Sequence, residues 1–343
     1  MRSRVGGLWL GVVAVLSVAI IAGSWLAQRG LLFAPAQKHV ASSQLFADVF
    51  AHVKREYVDT LADSTLYADA ATGAVAELDD PNSAYLSASV LAQHPDTLSR
   101  MAEGPVAAHL GPAPRLQPLG NAAAYLPLPH LTDAAVANFT RSVDSLQRAG
   151  VRQLLVDLRG TTDGSVAQAA SVAREFLNRG QVILRVRGRR AMDSATYAAA
   201  DAQRWPGLRL ALLADSSTAG AAEIVCGALQ DHDRATIVGS HTIGIGGTPT
   251  VFHLQSGGAL ALRTGAWITP AGRPIQGASG RRQDTKHKTP TVKSDAGRKL
   301  DAGGGIAPDV LVVAPQGPLP ASAAPANDPV VRAALAALTK PAA

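Results

Sequence analysis

The sequence predicts an α/β fold behind an N-terminal helical region and one membrane-spanning helix. Three observations carry that prediction. From about Ala123 onward, short apolar runs suited to buried strands alternate with helix-length segments, the pattern of a layered α/β core. Ser43 to Leu78 keeps its apolar residues at helical spacing. Leu8 to Ala27 contains no charged residue at all. A hydrophobic content of 47% with 17% charged residues suits a packed globular body, and aromatics at 4% leave Ala, Val, Leu and Ile to build its core.

The elements follow in order. Arg2 and Arg4 precede LWLGVVAVLSVAIIAGSWLA. A helix of about 20 such residues spans roughly 30 Å, the thickness of the hydrocarbon layer. Cleaved signals carry apolar regions of only about 7–15 residues, so residues 1–27 are expected to stay as an anchor. Ala34-Pro35-Ala36 is where a cleavage site would otherwise fall. The positive flank predicts a cytoplasmic start, with the bulk of this single-pass chain on the periplasmic side. Residues 28–42 read as a linker.

Residues 43–122 read as a helical region and connector. Leu45, Phe46, Val49, Phe50 and Val53, then Leu61, Leu66, Ala70, Val75 and Leu78, mark two helices broken near Val58-Asp59 and stopped at Pro81. Between Leu86 and Asn121 the composition turns to Ala, Pro and Gly. The core is expected over 123–315. AYLPL is a strand, Thr132 caps a helix running to Ala149, and Gly150 closes it. RQLLVDL is a buried strand, followed by the polar loop RGTTDGS and a helix from Ser165 to Asn178. QVILRVRG, LRLALLA, ATIVG, TPTVFHL and ALALRTGAWI are further strands. Residues 316–343 form an Ala/Pro-rich tail with one helical stretch around Val330 to Leu338.

The net charge of +6 is modest for 343 residues, and no basic–aromatic interleaving accompanies it, so no nucleic-acid partner is implied. The single Cys226 falls in AAEIVCGAL and reads as a buried, inert thiol. No ligand spacing points to a metal or another cofactor. Arg281 to Lys299 is a basic stretch, read as a solvated loop, with attraction to anionic lipid or wall polymer as its functional alternative.

Ala214 to Gly247 carries the chemistry. A polar turn, DSSTAG, enters a small-residue helix, leaves through QDHDRA, adds the strand IVG and ends in a glycine loop. That layout presents a nucleophile at the helix start and a base on the loop. Gly220 and Ile245 occupy those places, and neither side chain performs such chemistry.

Several blocks, in order, resemble the C-terminal processing (tail-specific) proteases of serine peptidase family S41. They are FADVFAHVKREYVD, LDDPNSAYLS, LLVDLRGTTDG, AAEIVCGALQDHDRATIVG, GALALRTGAWITPAGRPIQG and GRKLDAGGGIAPDV, which together cover most of Phe46 to Val310. The resemblance implies a ClpP/crotonase-like core of ββα units. It also implies three departures. Family members carry a PDZ domain between the blocks matching SAYLS and AYLPL, whereas fewer than 40 residues separate Tyr85 from Tyr125 here. That is below the roughly 50-residue floor of an independent domain. The family nucleophile lies three residues before Glu223, which is Gly220; its Lys base falls on Ile245 and its supporting Gln on Pro249. The Pro-Gly-Gly turn that helps hold the oxyanion becomes Thr162-Asp163-Gly164, where an acid would oppose developing negative charge. A Ser–Lys dyad needs a hydroxyl to attack and a neutral amine to take its proton, so no intact catalytic residue is expected. Asp163, Gly164 and Gly246 remain as oxyanion or peptide-cleft candidates.

Ser217 and Thr218 are the fallback nucleophiles, with capping of the following helix as their plainer role. His232 and Asp233 read as solvent-facing turn residues. His241 and His253 flank the glycine loop as conceivable partners of Ser217 or Ser240. Three functions follow: a membrane-anchored pseudoprotease that binds an extended peptide or a partner protein, an active serine endopeptidase using Ser217 or Thr218, and a structural subunit of an active paralogue.

Overall fold

The computed structural model of the protein describes residues 42–95, 97–98, 116–120, 122–276, 291–314, 317 and 324–339. The expected anchor, Leu8 to Ala27, lies outside them. No helix among the described residues is long and apolar enough to cross a membrane.

The chain divides into two compact units, up to Leu66 and from Tyr67 onward. In the first, α1 (Ser42–Glu56) places Phe46 and Phe50 one turn apart, with ring centroids 5.3 Å from each other. α2 (Asp63–Ala76) begins after the break that Val58-Asp59 predicts, and Lys54 of α1 bonds its first residue, Asp63.

The second unit continues with β1 (Ala84–Leu86), α3 (Ala88–Gln93), β2 (Gln117–Pro118), β3 (Ala123–Pro127) and α4 (Asp133–Arg148). Then come β4 (Gln153–Asp157), α5 (Val166–Ala173), β5 (Val182–Gly188), β6 (Ala195–Ala198) and β7 (Arg209–Ala214). α6 (Ala221–Asp231), β8 (Ala235–Gly239), β9 (Gly247–His253) and β10 (Ala259–Ile268) follow. The last elements are β11 (Thr291–Lys293), β12 (Lys299–Asp301), β13 (Val310–Leu311) and α7 (Pro329–Thr339).

One sheet has the order β13-β8-β7-β4-β3-β2 and is parallel except for β2. Its strands are almost continuously apolar because both faces are covered. Side chains alternate across it: Leu154, Val156, Leu210 and Leu212 face the large core with α4 to α6, while Leu155, Ala211 and Leu213 face α7. α7 is therefore a layer of the fold, not a detached tail helix. Its entry is fastened by Asp328, which accepts the Val330 and Val331 N–H groups and pairs with buried Arg159; Arg159 in turn pairs with Asp157, to which the Tyr125 hydroxyl donates at 2.7 Å.

The second sheet is antiparallel. β10 pairs with β9 along one edge and with β1 and β5 along the other, and β6 extends beyond β5. Asp80 fastens the segment before β1. It accepts from Ser83 Oγ at 2.5 Å and Gln276 Nε2 at 3.0 Å, with Arg263 Nε 3.4 Å away. Burial raises the Asp80 carboxyl, but the Ser83 and Gln276 hydrogen bonds and the Arg263 charge outweigh it and hold it below its ordinary value.

The helices start where their caps predict. Thr132 accepts from Ala135 N–H, and α4 buries Phe139, Val143 and Leu146 as one stripe. Ser165 and Gln168 form a reciprocal capping box on α5. Every residue of α6 is buried, and its small side chains (AAEIVCGAL) are what let a helix be enclosed on all sides. Cys226 is enclosed with it, and burial pushes its thiol up, as an inert cysteine requires.

Three expectations need correction. The helix expected to reach Asn178 stops at Ala173 and tightens into a 3₁₀ turn over Arg174–Phe176, which seats Phe176 against Trp205 with ring centroids 5.0 Å apart. Ala195–Ala198 forms an unanticipated strand that covers β5. Within the basic stretch, Thr291–Lys293 pairs with Lys299–Asp301 as a hairpin, not a loop, while residues 281–290 lie outside the described residues.

Candidate active site

β7 runs into a turn before α6, and Asp215 builds that turn. Its Oδ1 accepts the Ser217 N–H at 3.0 Å and the Ser217 hydroxyl at 2.6 Å. Thr218 is fully buried; its Oγ1 accepts the Asp215 N–H at 3.0 Å and donates to the Leu158 carbonyl at 3.1 Å. Neither residue caps α6, contrary to the sequence expectation. Their hydroxyls are spent on closing the turn, a local competition typical of Asp, Ser and Thr.

The helix start falls instead on Gly220, at φ 62° and ψ −123°. This sparsely populated backbone favours glycine. It is also the kind of sharp strand-to-helix turn that exposes a nucleophile where one is present. A β-carbon built there meets only the Thr162 carbonyl oxygen at 3.4 Å, an ordinary contact. Room for a side chain remains.

Glu223, one turn into α6 and fully buried, joins the helix start to the glycine loop. Its carboxylate accepts N–H groups from Gly220 at 3.0 Å, Gly244 at 2.7 Å and Ile245 at 2.8 Å, and the Thr242 hydroxyl donates to it as well. Burial raises its carboxyl, and these four donors oppose that rise. Thr242 also accepts the Ile306 N–H at 2.8 Å, so one hydroxyl ties a third segment to the same point. The loop must be glycine where it closes on residues 275–276, because a β-carbon on Gly246 would lie 2.4 Å from the Gln276 nitrogen. Ile245 contributes a backbone N–H and an aliphatic, half-buried side chain. Pro249 sits in β9 opposite Arg263, on an edge strand whose missing N–H leaves no ladder bond unmade.

The loop 160–164 completes the site. Asp163 accepts the Leu131 N–H and lies against His130 Nδ1, both at 3.0 Å. The sequence places this acid beside the oxyanion position; the structure commits its carboxylate to the β3–α4 connection. Gly164 packs so closely that a β-carbon would lie 2.5 Å from Leu131 Cβ and 3.1 Å from Ala221 Cβ. Thr162, Gly164, Gly220, Ala221, Glu223 and the glycine loop are thus brought together. Ser217 and Thr218 are turned to Asp215 and Leu158, and the exposed His241 and His253 supply neither with a base. Asp215 and Thr242 were missed from sequence. The D-S-S-T string signals the first; nothing local signals the second, whose partners are distant in the chain.

At the far end of α6 the expectation of solvent-facing residues holds for Asp233, which is exposed, and fails for His232. The His232 side chain is only 8% exposed, with its ring bonded to the Val182 carbonyl and Asp295. Asp233 pairs with Arg298, and buried Asp231 pairs with Arg273. The turn docks the β11–β12 hairpin.

Residues 122–286 match the family model described as peptidase family S41. Over those residues the chain is similar to that family. The chain is 34% identical over 157 residues to a carboxy-terminal-processing protease of Bartonella bacilliformis, covering 45% of this chain and 36% of that protein. It is 30% identical over 187 residues to a carboxyl-terminal-processing protease of Synechocystis, covering 54% and 42%. The chain therefore spans well under half the length of these relatives. Its fold also resembles the crystal structure of a putative peptidase from Parabacteroides merdae, with a TM-score of 0.52 and 15% identity over 90% of this chain and 91% of that one.

Proposed function

We propose that this chain is a membrane-tethered pseudoprotease that binds an extended peptide or a partner protein without cleaving it. One observation carries the reading. Gly220 stands where the family resemblance puts the nucleophile, in a backbone turn with space for a side chain, and offers no hydroxyl. Ile245, at the position of the base, has no lone pair to accept a proton. The neighbouring hydroxyls support the same reading, since Ser217 and Thr218 are held by Asp215 and the Leu158 carbonyl. Glu223 maintains the helix start and the loop without a dyad to serve, as a retained recognition scaffold would require. β9, which follows the glycine loop and pairs only with β10 among the described residues, offers an edge that suits a peptide added as a further strand.

The test uses the full-length chain in an uncharged detergent. Unstructured peptides are expected to remain intact, a fluorophosphonate is expected to leave the protein unlabelled, and fluorescence anisotropy is expected to report binding of a labelled extended peptide. Hydrolysis that disappears in Ser217→Ala would overturn the reading in favour of a displaced nucleophile. Co-purification with an intact S41 peptidase, with no peptide binding by the chain alone, would favour a structural subunit.

A further inference from the structure

β5 carries a charge pattern that the site above does not use. Its pleat turns Leu184 and Val186 into the core and sends Arg185 and Arg187 outward, with Arg189 exposed just beyond the strand. Arg185 stands opposite Ile268 of β10 and Thr196 of β6, and Arg187 stands opposite Ala266. Arg185, Arg187, Ser194, Thr196 and Ile268 line an open groove of about 410 Å³.

The groove is cationic and uncompensated. Two guanidinium-bearing residues two positions apart on one face of a strand have their Cα atoms only about 7 Å apart, and their like charges repel. The nearby carboxylate, Asp193, is already taken by Arg190 through two contacts of 2.8 Å. Among the described residues, none that lines the groove is acidic. Arg185 is held in place by its Nη1 bond to the Pro270 carbonyl at 2.8 Å, which leaves its other donors free. Ser194 Oγ accepts the Gly188 N–H at 3.1 Å, which fixes the hydroxyl at the groove wall.

Two planar guanidinium forks and the adjacent hydroxyls offer more donors than one carboxylate accepts, and a phosphoryl group brings several acceptor oxygens to a single centre. We propose that this groove binds a phosphoryl anion, with Arg185 and Arg187 as its charge partners and Thr196 as a hydroxyl donor. The anion comes either from a soluble phosphorylated compound or from the headgroup of an anionic lipid.

The experiment titrates inorganic pyrophosphate into the full-length protein in an uncharged detergent by calorimetry. Wild type is expected to bind saturably, and more weakly as salt is raised. Arg185→Gln/Arg187→Gln is expected to bind at least about tenfold more weakly, because it removes both charge-assisted contacts. Arg174→Gln/Arg179→Gln removes the same charge elsewhere on the surface and is expected to bind as wild type does. Both groove arginines are exposed, so the variants are expected to melt with wild type; should the double variant misfold, the single Arg187→Gln gives an intermediate loss. A second arm floats the protein with vesicles of phosphatidylcholine, with and without phosphatidylglycerol. A phosphatidylglycerol-dependent gain that the groove variant loses identifies a lipid headgroup. Pyrophosphate binding with no such gain identifies a soluble ligand. If the groove variant matches wild type in both arms, or wild type binds neither probe, the proposal falls.

Discussion

Placing a β-carbon on Gly220 is the most direct probe of the helix start. At φ 62° and ψ −123°, Ala pays a backbone strain of about 1–3 kcal/mol. Loss of glycine's freedom in the unfolded chain offsets about 0.4–1 kcal/mol of that. Little steric penalty is added, since the nearest atom to the new carbon is the Thr162 oxygen at 3.4 Å. Gly220→Ala is therefore expected to destabilise by about 1–2 kcal/mol. Gly239→Ala is the contrast: it combines φ 129° with a β-carbon only 2.0 Å from the Ala214 oxygen, a backbone overlap. Strain and overlap together put its loss above about 3 kcal/mol. Urea unfolding of the full-length protein, followed by circular dichroism, separates the two. If Gly220→Ala loses as much as Gly239→Ala, the space at the helix start is not there. If it matches or exceeds wild type, the turn is unstrained and the argument for a retained elbow fails.

Two further outcomes follow from the polar clusters. Glu223→Ala leaves three backbone N–H groups without their acceptor, at about 1–3 kcal/mol each where they stay buried, so a total loss above about 3 kcal/mol is expected, with Glu223→Gln milder because it keeps one acceptor oxygen; equal urea midpoints for wild type and Glu223→Ala would refute this. Because the native Asp80 carboxyl lies below its ordinary value of 3.8, the unfolded chain binds more protons in the acid range, and its stabilisation is present above that value and lost as pH falls through the native one. Between pH 5 and 3 the wild-type midpoint is thus expected to fall more steeply than that of Asp80→Asn, and parallel curves would show that the Asp80 contacts contribute nothing.

Much of the fold was legible because it rests on local physics. The caps at Thr132 and Ser165, the paired apolar strands and the small-residue helix α6 follow from periodicity and side-chain hydrogen bonding within a few residues. Expectations failed where distant contacts decide. Ser217 and Thr218 look like helix caps, but the turn directs the Ser217 hydroxyl to Asp215 and the Thr218 hydroxyl between the Asp215 N–H and the distant Leu158 carbonyl. His232 looks solvent-facing beside two acids until Val182 and the hairpin at Asp295 close over it. β6 and α7 gain their places only by covering surfaces that other strands create.

By itself, the sequence determined the family resemblance and the residue types at the helix start and on the loop: Gly220, Ile245 and Pro249 carry no group for acyl transfer in any conformation. Only the tertiary structure decided what occupies that space. Side-chain identity is written in the chain, but which hydroxyls are free, where Asp163 turns, and why Glu223 is kept depend on donors and acceptors many residues away. Those partners meet only when the parallel sheet, α6 and the glycine loop pack together.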